Sequence, residues 1–347
     1  MSAAEPGDAA DKGRRQRNQP FELNGTVVAA GSRRLVELPV APLPTDTSLS
    51  LSVMVVNGLR PGPTIWLSGV IHGDELNGIE IIRQVLAQVR PRELGGTILA
   101  VPIVNVFGFL NESRYLPDRR DLNRSFPGSP RGSLSGQLAH RFVSEVIRRS
   151  DAGIDFHTGS DHRTNLPQLR VDLATEGVAR MAQAFSPPVI VNASNRDGSL
   201  RTYCSSIGTP VLVYEGGEAH RFNQVAVDEG VAGTLRVLAD LGMWDGDPPV
   251  PVRPSVVIEH SRWERAKRSG IARIDVRPGQ QVERGDVLGM IAGAVGDRPL
   301  AVRASTPGMV LGYTRHPMVS QGDALVHLAD LSEGAHSGLA RLPNRRP

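Results

Sequence analysis

A chain of 347 residues with 40% hydrophobic content is longer than one hydrophobic core usually serves, so one large domain and a smaller one are expected. No run reaches the roughly 18–20 apolar residues of a membrane span, and the N-terminal MSAAEPGDAADKGRRQRNQP lacks a signal peptide's apolar block, which points to a cytoplasmic protein. The net charge of +3 sits in the tails: residues 1–18 carry +1 and 341–347 carry +3, leaving −1 for 19–340, which argues against a nucleic-acid partner despite the pI of 9.4.

In chain order, residues 1–20 read as a disordered tail. Apolar–polar alternation in Arg34–Pro39 and Ser48–Val56 predicts an antiparallel strand pair. The run Thr64–Val70 reads as a strand buried on both faces that ends at His72, and Ile79, Ile82, Val85, Leu86 and Val89 follow at helical spacing. A strand over Thr97–Val106, an irregular segment over Phe107–Ser133, a helix over Leu134–Arg149 and a strand over Ala152–Phe156 come next. A helix near Thr175–Phe185, strands at Pro188–Val191 and Pro210–Tyr214, and a helix near Asn223–Leu241 complete an α/β domain over 21–245. The segment Met243–Pro251 reads as a linker, and short strands with Gly-rich turns predict a small β domain over 252–330, followed by a basic tail at 336–347.

Chemistry gathers where the predicted strands end, the usual place for ligands in such sheets. His72 and Glu75, three apart, leave the first buried strand, and His157 ends another, so the three can converge on one ion. Glu215, followed by Gly216 and Gly217, ends a third strand. The single Cys204 excludes an intramolecular disulfide and reads as a small buried hydrophobe.

Four motifs occur in order: Ser68-Gly69-Val70-Ile71-His72-Gly73-Asp74-Glu75, Asp121-Leu122-Asn123-Arg124-Ser125-Phe126-Pro127-Gly128, Asp155-Phe156-His157-Thr158-Gly159 and Tyr214-Glu215-Gly216-Gly217. Together they resemble the succinylglutamate desuccinylase and aspartoacylase family, itself similar to zinc carboxypeptidases. The resemblance implies one zinc ion per chain on His72, Glu75 and His157, with Glu215 as the catalytic carboxylate. It implies a zinc-carboxypeptidase-like mixed sheet flanked by helices, followed by a smaller all-β, barrel-sandwich-like domain. Arg114 matches the arginine that polarises the scissile carbonyl, with Arg119 and Arg120 as nearby alternatives. Asn123 and Arg124 match the pair that binds the substrate carboxylate, and Asp121 reads as their orienting partner. Arg163, Asn165 and Arg170, after His157, are candidates for shaping the pocket, and Tyr203 and Tyr313 for the tyrosine that zinc carboxypeptidases hold over substrate.

The β segment resembles biotinyl and lipoyl carriers, but no lysine occurs in 268–347, which excludes a covalent carrier role. A gate over the zinc site or a subunit interface remains for it. The expected function is hydrolysis of a small N-acyl amino acid or related amide, by a soluble protein with a small-molecule partner, for which a homo-oligomer is compatible. The alternatives are a carboxypeptidase-like or deglutamylating peptidase with the same site, and an inactive binding protein of the same fold.

Overall fold

The structure is a computed structural model, and it describes residues 16–42, 46, 48–160, 162–194, 196–296, 298–331 and 336–337. Strands β1 (Phe21–Leu23) and β2 (Thr26–Val28) form a small hairpin, and β3 (Ser32–Pro42) pairs antiparallel with β4 (Ser48–Asn57) as the alternation demands. Of the expected N-terminal tail, residues 16–20 are described, and there the Asn18 N–H donates to the Leu59 carbonyl. Buried Asn57 accepts from Asn18 and Thr97 and donates to the Gln19 and Val28 carbonyls, which ties this segment to the sheet.

The centre follows as β5 (Arg60–Gly69), α1 (Asn77–Gln88), β6 (Gly95–Val101), α2 (Val106–Leu110), α3 (Leu134–Glu145), β7 (Ala152–Gly159), β8 (Arg163–Val171), α4 (Val178–Phe185), β9 (Val189–Asn192), α5 (Leu200–Ser206), β10 (Val211–Glu218) and α6 (Gln224–Asp240). Strands β10, β7, β5 and β6 are parallel in that order, flanked by antiparallel β8 on one side and β4 then β3 on the other. Because successive strand residues face opposite ways, Ile65, Leu67, Ile154, Phe156, Leu212 and Tyr214 pack under α1, α4 and α6. Trp66, Leu99, Val101 and Val211 face α3 and α5.

One reading of the sequence needed correction. The strand expected to reach Val106 ends at Val101, because Asn105 caps α2 by accepting from the Gly108 N–H at 2.8 Å. The stretch Arg163–Val171, to which the sequence analysis assigned no element, is β8 although it contains Pro167. Pro167 is tolerated because it falls between the β17-paired residues Arg163–Asn165 and the β9-paired residues Gln168–Val171, opposite an irregularity in β10.

Beyond Trp244 come β11 (Val256–Ile258), β12 (Ser261–Arg265), β13 (Gly270–Ile274), β14 (Gln281–Val282), β15 (Val287–Ala292), β16 (Leu300–Arg303), β17 (Gly308–Thr314), β18 (Met318–Val319), β19 (Ala324–Asp330) and β20 (His336–Ser337). A four-stranded sheet, β16-β15-β13-β18, faces β14, β17 and β19 across an apolar core that includes Leu288, Ile291, Val310 and Leu325. Strands β12, β19 and β17 also extend the central sheet, through pairing of β17 with β8. Residues 1–15 and 338–347, most of the expected tails, lie outside the described residues.

Close packing of β5 on β7 sets a testable limit. A Cβ built on Gly153 would lie 2.0 Å from the ring of fully buried Trp66. Gly153→Ala is therefore expected to cost about 1–3 kcal/mol through overpacking. A lowered urea midpoint checks this; an unchanged midpoint contradicts it.

Candidate functional site

The chain leaves β5 through Val70, a buried β-branched residue held at φ +54°. That conformation is costly for valine and turns the backbone sharply toward His72. Asn105 secures the turn: its N–H donates to the Val70 carbonyl at 2.9 Å and its side-chain amide to the Ile71 carbonyl at 3.3 Å. Gly73 lies against Gly108, where a Cβ would come within 1.8 Å of backbone.

His72, Glu75 and His157 are all buried, and their ligand atoms lie within 4.8 Å of one another. Nδ1 of His72 donates to one Glu75 oxygen and Nδ1 of His157 to the other, each at 2.8 Å. Their Nε2 atoms face outward, that of His72 at 3.2 Å from Asp121 and that of His157 at 2.7 Å from Asp155. Asp155 in turn accepts from Ser68 at 2.7 Å, and Asp121 from Arg114 at 2.8 Å.

Charge alternates along this line, and the titration of its members follows. Burial alone would pull both histidines down, but Glu75 and Asp121 raise His72, while Asp155 and Glu75 raise His157 well above its ordinary value. Burial would likewise push Glu75 up, but the two histidines hold it far below the usual carboxylate range. Burial is outweighed in the same way at Asp121, which His72 and Arg114 hold low.

The donor set suits a divalent metal: two imidazole nitrogens and a carboxylate, with each ring oriented by an outer carboxylate. His72, Glu75 and His157 would hold such an ion, and both imidazoles would have to give up a proton to do so.

Glu215 is in parallel register with His157 on the neighbouring strand, so the two side chains lie on one face of the sheet. Its carboxylate accepts from the Asn165 side chain at 3.0 Å and lies 3.7 Å from Nε of Arg170. Asn77, at the start of α1, donates to the Gly216 carbonyl and accepts from the Asn223 N–H, joining the first motif to the last.

A cavity of about 640 Å³ opens over these groups. His72, Glu75, Arg114, Asn123, Arg124, His157, Arg163, Asn165, Arg170 and Glu215 all line it, so the fold brings these candidates to one place. Arg114 lies 3.7 Å from Glu75 and donates to Ser160. Asn123 accepts from the Leu200 N–H at 2.9 Å and so fastens the start of α5, while Arg124 is exposed. Arg119, Arg120, Tyr203 and Tyr313 are not among the described residues that line the cavity; the hydroxyl of Tyr203 instead accepts from Arg148.

Sequence reasoning missed the roles of Ser68 and Asp155, although Asp155 and His157 are two apart on one strand and must share a face. It also missed Arg196, Arg201, Trp263, Arg265 and His327, which the fold brings to the wall from distant segments.

A profile of the succinylglutamate desuccinylase/aspartoacylase catalytic domain matches residues 61–241, from β5 through α6. The chain belongs to this family. Among the relatives of this family member, the N-alpha-acetyl-L-2,4-diaminobutyric acid deacetylase of Halomonas elongata is 27% identical over 311 residues, covering 84% of this chain and 90% of the relative. The crystal structure of a succinylglutamate desuccinylase/aspartoacylase from Rhodobacter sphaeroides is 27% identical, with a TM-score of 0.77 over 86% of this chain and 95% of that one. The product-bound ectoine utilization protein EutE (DoeB) of Ruegeria pomeroyi shares the fold at 23% identity, with a TM-score of 0.79 over 90% of this chain and 100% of that one.

The outer carboxylates give a direct check. Asp155→Asn is expected to weaken metal binding by roughly 10–100-fold with the fold intact. Competition against a chelator measures this, and an unchanged affinity would show that Asp155 does not tune the set.

Proposed function

We propose that this family member is a zinc-dependent hydrolase that cleaves the amide bond of a small N-acyl amino acid. The observation that carries this reading is Glu215 beside His157, on a strand in register with it, facing the same cavity as the His72–Glu75–His157 donor set. Hydrolysis of an amide needs an activated water, a group to shuttle its proton and positive charge for the developing oxyanion. When bound, zinc supplies Lewis acidity and lowers the pKa of a coordinated water from about 15.7 toward 7.

The remaining tasks fall to side chains. Glu215, held by Asn165 and Arg170, takes a proton from water and returns it to the departing amine. Arg114, fixed by Asp121 and Ser160 beside Glu75, faces the cavity with a charge suited to the carbonyl oxygen. Asn123 and Arg124 serve as the anchor for the substrate carboxylate.

Trp263, Arg265 and His327, from the C-terminal strands, and Asp323, just before β19, stand in the cavity wall. A wall there supports a small substrate over a peptide lying in an open groove. The Halomonas relative, by its name a deacetylase of an acetylated diamino acid, supports the same reaction class and supplies one probe for a screen of N-acyl amino acids.

Purified wild-type protein is expected to carry about one zinc per chain and to lose hydrolysis on chelation. Glu215→Gln is expected to keep the metal while kcat falls by roughly 10²–10⁴-fold. Elemental analysis and an amine-release assay read both, and an active Glu215→Gln enzyme removes Glu215 from the mechanism.

A further inference from the structure

Three histidines that do not line the cavity come together from three separate turns: His162 between β7 and β8, His220 between β10 and α6, and His316 between β17 and β18. The ring centres of His162 and His316 lie 5.1 Å apart, and those of His162 and His220 6.5 Å apart. Two imidazoles on one tetrahedral ion, at a metal–nitrogen distance of about 2.0–2.1 Å, have ring centres roughly 5 Å apart. A matching spacing, 5.0 Å, separates His72 from His157 in the buried donor set.

The backbone holds these turns against one another. The Arg315 N–H donates to the His162 carbonyl at 2.8 Å, which fixes the β17–β18 turn on the β7–β8 turn. Arg315 also pairs with buried Glu218 at the end of β10, and Arg221 contacts the same carboxylate at 3.2 Å, so two nearby positive charges are tied down. The His220 N–H donates to the Asp74 carbonyl at 2.8 Å. His162 and His220 have φ of +61° and +62°, a region uncommon for residues other than glycine, so the fold presents both rings from strained backbone.

The His316 ring is oriented as a metal ligand requires. Its Nδ1 lies 2.8 Å from the Met318 carbonyl, which can only accept, so in the neutral ring the proton sits on Nδ1 and Nε2 keeps its lone pair. Metal-binding histidines are held in this way, through the ring nitrogen that does not touch the ion. Among the described residues only His72, Glu75 and His157 already have ligand atoms within 4.8 Å of one another, so the second cluster closes by side-chain rotation. His162 and His220 are exposed, and such groups change rotamer within picoseconds to nanoseconds.

We infer that His162, His220 and His316 form a second metal site, which takes a divalent transition-metal ion of the kind imidazole favours, such as zinc, nickel or copper, and leaves the remaining positions to water. The site is separate from the cavity and independent of the proposed hydrolysis. Being open to solvent, it fills from added metal and empties on dialysis, so the metal content of purified protein is that of the buried set. A bound ion ties the β17–β18 turn to two turns of the central sheet, one of which carries Ser160, the acceptor from Arg114.

The test is equilibrium dialysis of untagged full-length protein, first loaded with zinc and freed of excess, against micromolar free zinc, followed by elemental analysis. Wild type is expected to take up about one further equivalent. His162→Asn and His220→Asn remove the imidazole while asparagine tolerates the left-handed backbone, and His316→Gln removes the third ligand; each is expected to take up none. Thermal unfolding gives a second reading, because an ion bound only by the folded protein raises Tm by mass action: micromolar zinc is expected to raise the Tm of the loaded wild type and not that of the variants. Only the difference from wild type is read, so the outcome is independent of whether the buried set holds zinc and of whether any amide is hydrolysed. Loss of the further equivalent in every variant that folds upholds the site. No further equivalent in wild type, or its survival in any folded variant, overturns the three-histidine assignment.

Discussion

Glu75 accepts from Nδ1 of both His72 and His157, one on each carboxylate oxygen, and much of the surrounding structure serves to keep those three groups together. A carboxylate that is 2% exposed is tolerable only when it is paired and hydrogen-bonded. The requirement propagates outward. Each histidine needs a partner on its far nitrogen, which Asp121 and Asp155 provide, and those carboxylates need Arg114 and Ser68. The strained φ at Val70, the near contact of Gly73 with Gly108 and the Asn105 cap are the backbone means by which His72 reaches its place. A buried line of alternating charge is a weak source of stability, since its members gain little beyond their desolvation cost. Its value lies in arrangement: it orients two imidazoles and one carboxylate toward a common point before any ligand arrives.

The sheet supplies the second constraint. Parallel strands β5, β7 and β10 end together, so a loop from β5 and the last residues of β7 and β10 meet at one edge. Register then decides the rest, because a one-residue slip of β10 against β7 would turn Glu215 into the apolar layer occupied by Tyr214. The irregularity after Glu215 lets Gly216 and Gly217 turn away and receive Asn77 and Asn223 from the helices. The geometry of the site and the packing of the helices are thus set by the same few residues.

Much of this was legible in the sequence because it is local. Alternation marked β3 and β4, helical spacing marked α1, and His72, Glu75, His157 and Glu215 stand at the ends of short apolar runs. Parts that depend on distant partners were not legible. The strand β8 went unassigned, and nothing in the chain announces that its Pro167 falls between the stretches paired by β9 and β17. Asp155 looked like any polar residue in a strand, and its value becomes plain only once Ser68 and His157 are on either side of it. Trp263 and His327 lie more than a hundred residues beyond His157, in a segment whose pattern speaks only of turns and short strands. They reach the cavity because β12 and β19 continue the central sheet through β17.

The central claim is that His72, Glu75 and His157 hold the catalytic zinc. X-ray absorption at the zinc edge of the loaded protein tests it most directly. The account predicts a first shell of nitrogen and oxygen with about two imidazoles, reduced to one imidazole or lost altogether in His157→Ala. A sulfur neighbour, or a spectrum unchanged by that substitution, would contradict it.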